Sequence, residues 1–508
     1  MILSQPARGA GRRPFLAAAV LLSLAPAAAF AQVFTPGNLV VSSSVYAGTA
    51  DTITVGQALP ITPTAFATNN GAYPGVFDNE TPDANFGITS PITITEYTPA
   101  GAPTGVVISV PTTTLVTSFS SKSELAFNLS ADGTLVTFMG YPAAANQLDL
   151  SNSATPGENF SGNTDVAPQT YRAIAQLDAG GAVGTTTKIV AYTGDNARAA
   201  ILAGGNYYTA GATGGTLASL AGVQIVTPAG APPGNITSLG SYVASDNKPQ
   251  KDNNFRGLTI FNNTLYTSKG SGSKGVNTVY QVGTAGTLPA GTGNPVTILP
   301  GFPSSGTTTH PFGLWFANST TLYVADEGDG VYTDIGTSAN SSAGLGKYSL
   351  VGGVWQLDYV LTTNLGLGTP TPYVVNGPNS SIYRTAPDGL RNITGRVNSN
   401  GTVTIFAITS TASSAADQAA GYAAVDEGCD PNQLVSITDN LANTSPSVAA
   451  GEGFVLLQTA QYGQVLRGIS FAPTYATGTP AMPWQALVVL AALLMGGAWL
   501  ALPSSRRA

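Results

Sequence analysis

Between residues 120 and 410 the chain repeats one pattern, in which a tight turn of Asp, Asn, Ser or Gly joins two short runs of alternating apolar and polar residues. Alternation with a period of two is typical of half-buried β-strands, and turns of this composition join antiparallel neighbours. Five pairs recur at intervals of roughly 60–80 residues, at 123–138, 197–209, 254–267, 311–325 and 390–408. One or two further strands follow each pair, which predicts units of about four strands.

The two ends of this array match each other. Residues 38–44 form an unpaired strand at the start, and residues 465–471 form one at the end. The last strand contains Arg467-Gly468, which repeats the Arg256-Gly257 sequence of the third pair. Pairing of the last strand with the first would complete a sixth unit and remove the exposed sheet edges. The sequence therefore predicts an all-β protein with a single closed six-bladed β-propeller over residues 32–474. Seven blades, a pair of β-sandwiches and a β-helix are the alternatives.

The composition supports an all-β fold and excludes several classes of function. Charged residues are 9% of the 508 residues, against about 25% in ordinary soluble domains, so long exposed helices are not expected. The formal net charge of −7 leaves no basic footprint for a nucleic acid. The single Cys429 and the single His310 exclude an internal disulfide and a Cys/His zinc site.

The first 31 residues predict a secretory signal peptide with a helical apolar segment. Residues 8–13 contain three arginines, residues 15–24 are apolar, and Ala29 and Ala31 give the small–x–small pattern that signal peptidase accepts. Cleavage after Ala31 would make Gln32 the mature N-terminus. The alternative is a buried N-terminal helix.

The C-terminal residues 475–508 predict a second targeting signal. Residues 486–502 are 17 consecutive residues without a charge, and a helix of this length spans about 25 Å, which is enough for a short transmembrane helix. Trp484 and Trp499 lie near its ends, and Arg506 and Arg507 follow it. The positive-inside rule places these arginines in the cytoplasm and the bulk of the chain outside.

This tail resembles the exosortase sorting tails called PEP-CTERM and IPTL-CTERM. The resemblance is carried by a short proline motif, an apolar helix and terminal arginines, at Pro480, Pro483, Trp484, Arg506 and Arg507. It departs from the IPTL type because no Ile-Pro-Thr-Leu string is present. The resemblance implies a Gram-negative host, removal of the tail by an exosortase-type protease, and a transient inner-membrane anchor before the protein reaches the cell surface or the extracellular matrix. A permanent single-pass anchor is the alternative.

The middle of the chain resembles NHL-like six-bladed propellers and a group of secreted bacterial propeller proteins. The residues that carry the resemblance are 123–133, 255–258, 311–316, 322–328 and 466–468. The resemblance implies the fold and no activity.

Enzyme motifs are scarce, since the sequence contains no G-x-S-x-G, P-loop or H-E-x-x-H motif. A Ser-His-Asp hydrolase would have to use His310. The densest acidic cluster predicts hard oxygen ligands for Ca²⁺, at Asp326, Glu327, Asp329 and Asp334. The alternative is that this glycine-rich cluster is only a turn between strands. Residues 426–430 are a weaker version of the same pattern.

Charged residues also occupy equivalent positions at the starts of the predicted inner strands. These positions, which would ring one mouth of a propeller channel, are Glu124, Arg198, Arg256, His310, Arg391 and Arg467. Arginine forks suit carboxylate or phosphate, although the arginines could instead hold the blades together. The sequence therefore predicts an exported, non-catalytic propeller that binds a glycan such as extracellular polysaccharide, a protein or a small anionic ligand. The alternative is a Ca²⁺-dependent propeller hydrolase similar to lactonases or phytase-like esterases.

Overall fold

The computed structural model describes residues 33–46, 56–58, 66, 87–119, 121–158, 169–213, 218–228, 234–240, 254–271, 275–306, 308–375, 381–413, 430–461 and 463–475. The predicted signal peptide, the sorting tail with its helix at 486–502, and Cys429 lie outside these ranges. In the described part of the chain, no helix combines the length and the hydropathy needed to cross a bilayer.

Strands dominate the described chain. The first half contains β1 Leu39–Val45, β2 Thr89–Ser90, β3 Ile92–Tyr97, β4 Pro103–Ser109, β5 Thr117–Ser118, β6 Asn128–Leu129, β7 Leu135–Gly140, β8 Arg172–Asp178, β9 Val183–Ile189, β10 Ala197–Ala203, β11 Asn206–Gly211, β12 Gly222–Thr227 and β13 Asn235–Gly240. The second half contains β14 Leu258–Phe261, β15 Thr264–Lys269, β16 Thr278–Val282, β17 Val296–Ile298, β18 Pro311–Asn318, β19 Thr321–Asp326, β20 Gly344–Val351, β21 Val354–Leu361, β22 Thr371–Val375, β23 Ser381–Val397, β24 Thr402–Ser413, β25 Gln433–Asn440, β26 Val455–Thr459 and β27 Gln464–Phe471. The helical pieces are single turns at Leu150–Asn152, Ala218–Leu220, Tyr332–Asp334, Ser338–Asn340 and Pro446–Ala449.

The strands form six blades, as the sequence predicts. From the inner strand outwards, blade I is β27-β1-β3-β4, blade II is β6 to β9, blade III is β10 to β13, blade IV is β14 to β17, blade V is β18 to β21 and blade VI is β23 to β26. Strand β22 adds a fifth strand beside β23, and β2 pairs with β5 in a small separate sheet. The seven-bladed, sandwich and β-helix alternatives do not match this strand order.

Blade I closes the ring with strands from both ends of the propeller. Antiparallel β1 and β27 pair Leu39 with Phe471 and Val41 with Ile469. The six inner strands contact one another in ring order, β6-β10-β14-β18-β23-β27 and back to β6. The predicted pairing of the last strand with the first is therefore confirmed.

Hydrophobic packing lies between the blades, because each sheet buries its two faces against its neighbours. A cluster of buried apolar residues occupies each of the six interfaces in the described chain. Near the channel the inner strands are so close that side chains do not fit between them. A Cβ on Gly257 would clash with the carbonyl oxygen of Phe312, and one on Gly468 would clash with that of Leu125. The repeated Arg-Gly sequence is thus explained by contact between neighbouring blades.

Candidate functional site

Three of the six predicted ring positions lie together at one end of the channel, at or just before the starts of inner strands. Arg198 is in β10, His310 directly precedes β18, and Arg256 lies two residues before β14. All three line a polar cavity of about 390 Å³, which we call the entry cavity. Residues of all six inner strands line a second cavity, of about 230 Å³, further along the strands. Trp315, Ile393 and Phe471 make that second cavity more apolar.

Arg198 is held rigidly at the edge of the entry cavity. Its Nε donates to Ser123 Oγ (2.8 Å) and its Nη1 donates to the carbonyl oxygen of Phe255 (3.0 Å). Asp195 lies 3.6 Å from its Nη2. Burial and, to a smaller extent, the neighbouring charge of Arg256 together lower the pKa of Arg198 to about 10, although Asp195 and Glu327 act in the opposite direction. The two guanidinium groups therefore repel each other, and an anion between them would offset that repulsion further.

Glu327 connects two of the predicted ring arginines. Its Oε2 accepts from Arg391 Nε at 2.9 Å, and its Oε1 lies 3.7 Å from Arg256 Nε. Arg256 and Glu327 therefore form an ion pair that is too long for a hydrogen bond. Arg256 Nη2 donates a hydrogen bond to Ser271 Oγ instead. Arg391 lies outside the cavity lining and reaches it only through this contact with Glu327.

Glu124 and Arg467 lie away from the entry cavity. Glu124 is 1% exposed and accepts from Tyr141 Oη, from Thr117 Oγ1 at 3.0 Å and from the Ser118 amide at 3.1 Å. Burial raises its pKa. Arg467 donates to the carbonyl oxygens of Phe119 and Ser121, which ties β27 to the chain before blade II. These two members of the predicted ring are held between blades, which is the alternative that the sequence left open.

A break in the strand alternation explains why Glu124 departs from the ring. Leu125 adopts a left-handed backbone with φ 60°, which few residues other than glycine or asparagine adopt without cost. Strand β6 consequently begins only at Asn128, and the preceding side chains do not follow the period-two pattern.

Five polar atoms of the cavity lining have no hydrogen-bond partner within the described chain. They are Ser121 Oγ, Asn196 Oδ1, Asn254 Oδ1, Arg256 Nε and His310 Nδ1. Ser121 is 6% exposed and Asn196 is 8% exposed. A buried donor or acceptor without a partner costs about 1–3 kcal/mol, so the concentration of such atoms in one cavity favours a polar ligand that satisfies them.

Sequence reasoning missed several lining residues, although a signal for them exists. Asn196 and Asn254 each lie two residues before a predicted ring position that lines the cavity, and they line it too, whereas Lys122 lines it although Glu124, two residues later, does not. Residues separated by two share one face of an extended chain, so the period of the strands could have identified them. Asp195 had no such signal.

The four carboxylates predicted as Ca²⁺ ligands do not converge. Asp326 accepts from the amides of His310 (2.8 Å) and Gly328 (3.0 Å), whereas Glu327 faces the arginines. Asp329 accepts from the Val331 amide at 2.9 Å. Burial and the negative charge of Asp329 raise the pKa of Asp334. Within the described ranges, no group of three or more His, Cys, Asp or Glu side chains is placed to hold a metal ion.

The physical reason is strand alternation, because neighbouring residues point to opposite faces. Asp326 and Glu327 line different cavities. In the weaker cluster at 426–430, only Asp430 lies in the described chain, where it accepts from Ser413 Oγ at 2.8 Å.

No family model matches this sequence, and no curated protein matches it. Among solved structures, the chain is similar to YCF48 bound to D1 peptide, at 10% identity and a TM-score of 0.28, over 74% of this chain and 96% of that chain. A quinonprotein alcohol dehydrogenase-like protein from Bacteroides thetaiotaomicron matches at 13% identity and a TM-score of 0.27, over 76% and 85%. Chaetomium thermophilum Sqt1 bound to the N-terminus of ribosomal protein L10 matches at 10% and 0.27, over 67% and 90%. TM-scores this low indicate nothing about function, and the propeller fold is established by the strand order.

Proposed function

We propose that this protein is an exported, non-catalytic propeller whose entry cavity binds a small hydroxylated carboxylate, such as a uronic acid of an extracellular polysaccharide. The observation that carries the proposal is the group of buried, unpartnered polar atoms beside two adjacent arginines. Arginine forks pair well with carboxylates. The cavity volume of about 390 Å³ lies in the range that accommodates small ligands, about 300–1,000 Å³.

The same cavity contains hydrogen-bond acceptors, which indicate that the ligand also carries hydroxyl groups. Asn196 Oδ1 and Asn254 Oδ1 accept hydrogen bonds and have no protein donor within the described chain. A carboxylate supplies no donor for them, whereas sugar hydroxyl groups do. A ligand that carries both groups satisfies both kinds of site, which a simple anion or a neutral sugar does not.

Arg256→Ala should weaken binding of D-glucuronate by on the order of tenfold or more, since a hydrogen bond to a charged group contributes about 1.5–3 kcal/mol. Isothermal titration of the purified protein with D-glucuronate, D-glucose and acetate measures this. Wild type should bind glucuronate most tightly, and Asn196→Ala should reduce the preference for glucuronate over acetate.

The matched control is Arg396→Ala, which removes the same charge from an exposed position outside the cavity lining. It should bind glucuronate as wild type does. Absence of glucuronate binding to wild type, or equal losses in Arg256→Ala and Arg396→Ala, would count against the proposal. A large fall in the melting temperature of Arg256→Ala without a change in binding would mean that Arg256 only holds the blades together.

Export is the second part of the proposal and is supported by the sequence of both termini. The mature protein should begin at Gln32, and its C-terminus should lie upstream of Arg506 after the tail is removed. Intact mass spectrometry of the protein from the native host measures both ends. A chain that still begins at Met1 contradicts the signal peptide. A surface-exposed chain that still ends at Ala508 contradicts tail removal and favours a permanent anchor.

A further inference from the structure

A further cavity, of about 240 Å³, lies between blades IV and V and is separate from both the entry cavity and the cavity along the inner strands. We call it the inter-blade crevice. Its walls are mostly apolar and include Phe302, Val324, Leu357 and Val360. Leu357 is 52% exposed, which places the opening at the outer strand of blade V.

A glycine on β20 forms part of the crevice wall and allows an aromatic ring to approach the strand closely. Gly346 pairs with Val324 on one side and with Val360 on the other, so these three positions form one cross-strand row. Both valines line the crevice, and between them the ring of Tyr348 covers Gly346, with its Cε2 3.0 Å from the position that a Cβ would take. Tyr348, two residues along the same strand, packs its ring against that of Phe302 with centroids 4.4 Å apart and an interplanar angle of 25°. The crevice is therefore bounded by a stacked aromatic pair and has room for another ring.

The inner end of the crevice is polar and acidic. Asp326 is 5% exposed, its carboxylate accepts from the His310 and Gly328 amides, and the Ser342 side chain, which also lines the crevice, lies beside it. Thr278 is fully buried, and its Oγ1 has no hydrogen-bond partner within the described chain. Both residues line the crevice. Burial raises the pKa of Asp326 because the charged form is poorly solvated there, and a cation beside it would offset that cost.

The wall between the two cavities consists of alternating residues. Thr309 and Pro311 line the crevice, whereas His310 lines the entry cavity. In the same way, Asp326 lines the crevice and Glu327 lines the entry cavity. The crevice therefore differs from the entry cavity in both position and charge preference.

We propose that the inter-blade crevice is a binding site for a small aromatic amine, whose ring lies beside Tyr348 and Phe302 and whose ammonium group donates to Asp326 and Thr278. An apolar cavity of about 150 Å³ is sufficient for a benzene ring, and buried charges require a partner of opposite sign. The site is independent of the proposed function of the entry cavity.

Benzylamine is the probe, with benzyl alcohol and benzoate as matched ligands of the same ring size. Ligand-observed NMR titration of the full-length protein should show saturable benzylamine binding, weaker binding of benzyl alcohol, and no binding of benzoate at this site. Gly346→Val should abolish the benzylamine signal, because the added side chain displaces the Tyr348 ring from its place over the strand and into the crevice. Thr278→Val should weaken binding several-fold while the melting temperature stays within about 2 °C of wild type, since the hydroxyl has no protein partner to lose.

The control for Gly346→Val is Gly184→Val, which adds the same side chain to an exposed strand position with no atoms nearby. Gly184→Val and Arg256→Ala should both retain benzylamine binding. The proposal is overturned if wild type does not bind benzylamine, if Gly346→Val binds it while melting as wild type does, or if benzoate competes with it equally. Should Gly346→Val not fold, loss of affinity in Thr278→Val decides the outcome, and unchanged affinity there rejects the site.

Discussion

After deletion of residues 463–475, the protein should lose the cooperative melting transition of the wild type and should aggregate. The deletion removes β27, the inner strand of blade I, and exposes the edge of β1. Val465, Leu466 and Ile469 of this strand are all buried, and burial of each such side chain contributes about 1.5–3 kcal/mol. Their sum is comparable with the whole stability of a typical domain, about 5–15 kcal/mol.

Arg467 adds to this loss because it connects β27 to its neighbours on both sides. It donates to Ser44 Oγ of β1 at 3.2 Å and to two carbonyl oxygens at the start of blade II. Without it those buried oxygens have no donor from β27, and an unpaired strand edge also promotes association with other chains.

Size-exclusion chromatography and calorimetric melting measure the effect. A synthetic peptide of residues 463–475 should restore part of the melting transition when added in excess, since it can pair with β1 in the same register. A truncated protein that stays monomeric and melts as wild type does would mean that ring closure by β27 is not needed for stability.

Asp439→Ala should destabilise the protein by about 3–5 kcal/mol, the cost of leaving one member of a buried ion pair without its partner. Lys347 Nζ lies 2.8 Å from Asp439 Oδ2, and both side chains are fully buried at the interface of blades V and VI. Tyr323 and Tyr359 also donate to the two carboxylate oxygens. Burial alone would raise the pKa of Asp439, but hydrogen bonds with Glu452, Lys347, Tyr323 and Tyr359 hold it below its usual value.

Chemical denaturation, with midpoint and slope both reported, measures this loss. The control is Asp358→Ala on β21, which removes a half-buried carboxylate that accepts from Ser349 Oγ at 2.6 Å. It should cost less than about 1 kcal/mol, as surface substitutions usually do. The double variant Lys347→Met/Asp439→Leu should recover part of the loss, because replacing a buried ion pair with apolar residues is often neutral. A cost for Asp439→Ala no larger than that for Asp358→Ala would show that the pair is not important for stability.

Blade count and ring closure were predictable from the sequence because both depend on local patterns. Alternation with a period of two marks the strands, and the repeated turn marks where each pair reverses. The two unpaired runs at 38–44 and 465–471 were sufficient to predict β1 and β27 as partners. Local patterns did not predict the extra hairpin formed by β22 with the first half of β23.

The functional side chains were only partly predictable, because their orientation depends on contacts between distant parts of the chain. Arg198, Arg256 and His310 occupy equivalent strand starts, and the structure brings them to one cavity. Glu124 occupied an equivalent position in the sequence, but the left-handed backbone at Leu125 interrupts the alternation that the prediction assumed.

The sequence by itself determined that this chain forms a six-bladed ring, since strand period and turn chemistry are properties of neighbouring residues. Only the tertiary structure decided which charges are paired and which face a cavity. Lys347 of blade V pairs with Asp439 of blade VI, and Arg467 of blade I donates to the carbonyl oxygen of Ser121, which precedes blade II. These contacts join residues far apart in the chain, and a buried charge is stable only where such a partner meets it, so no local pattern could have identified them.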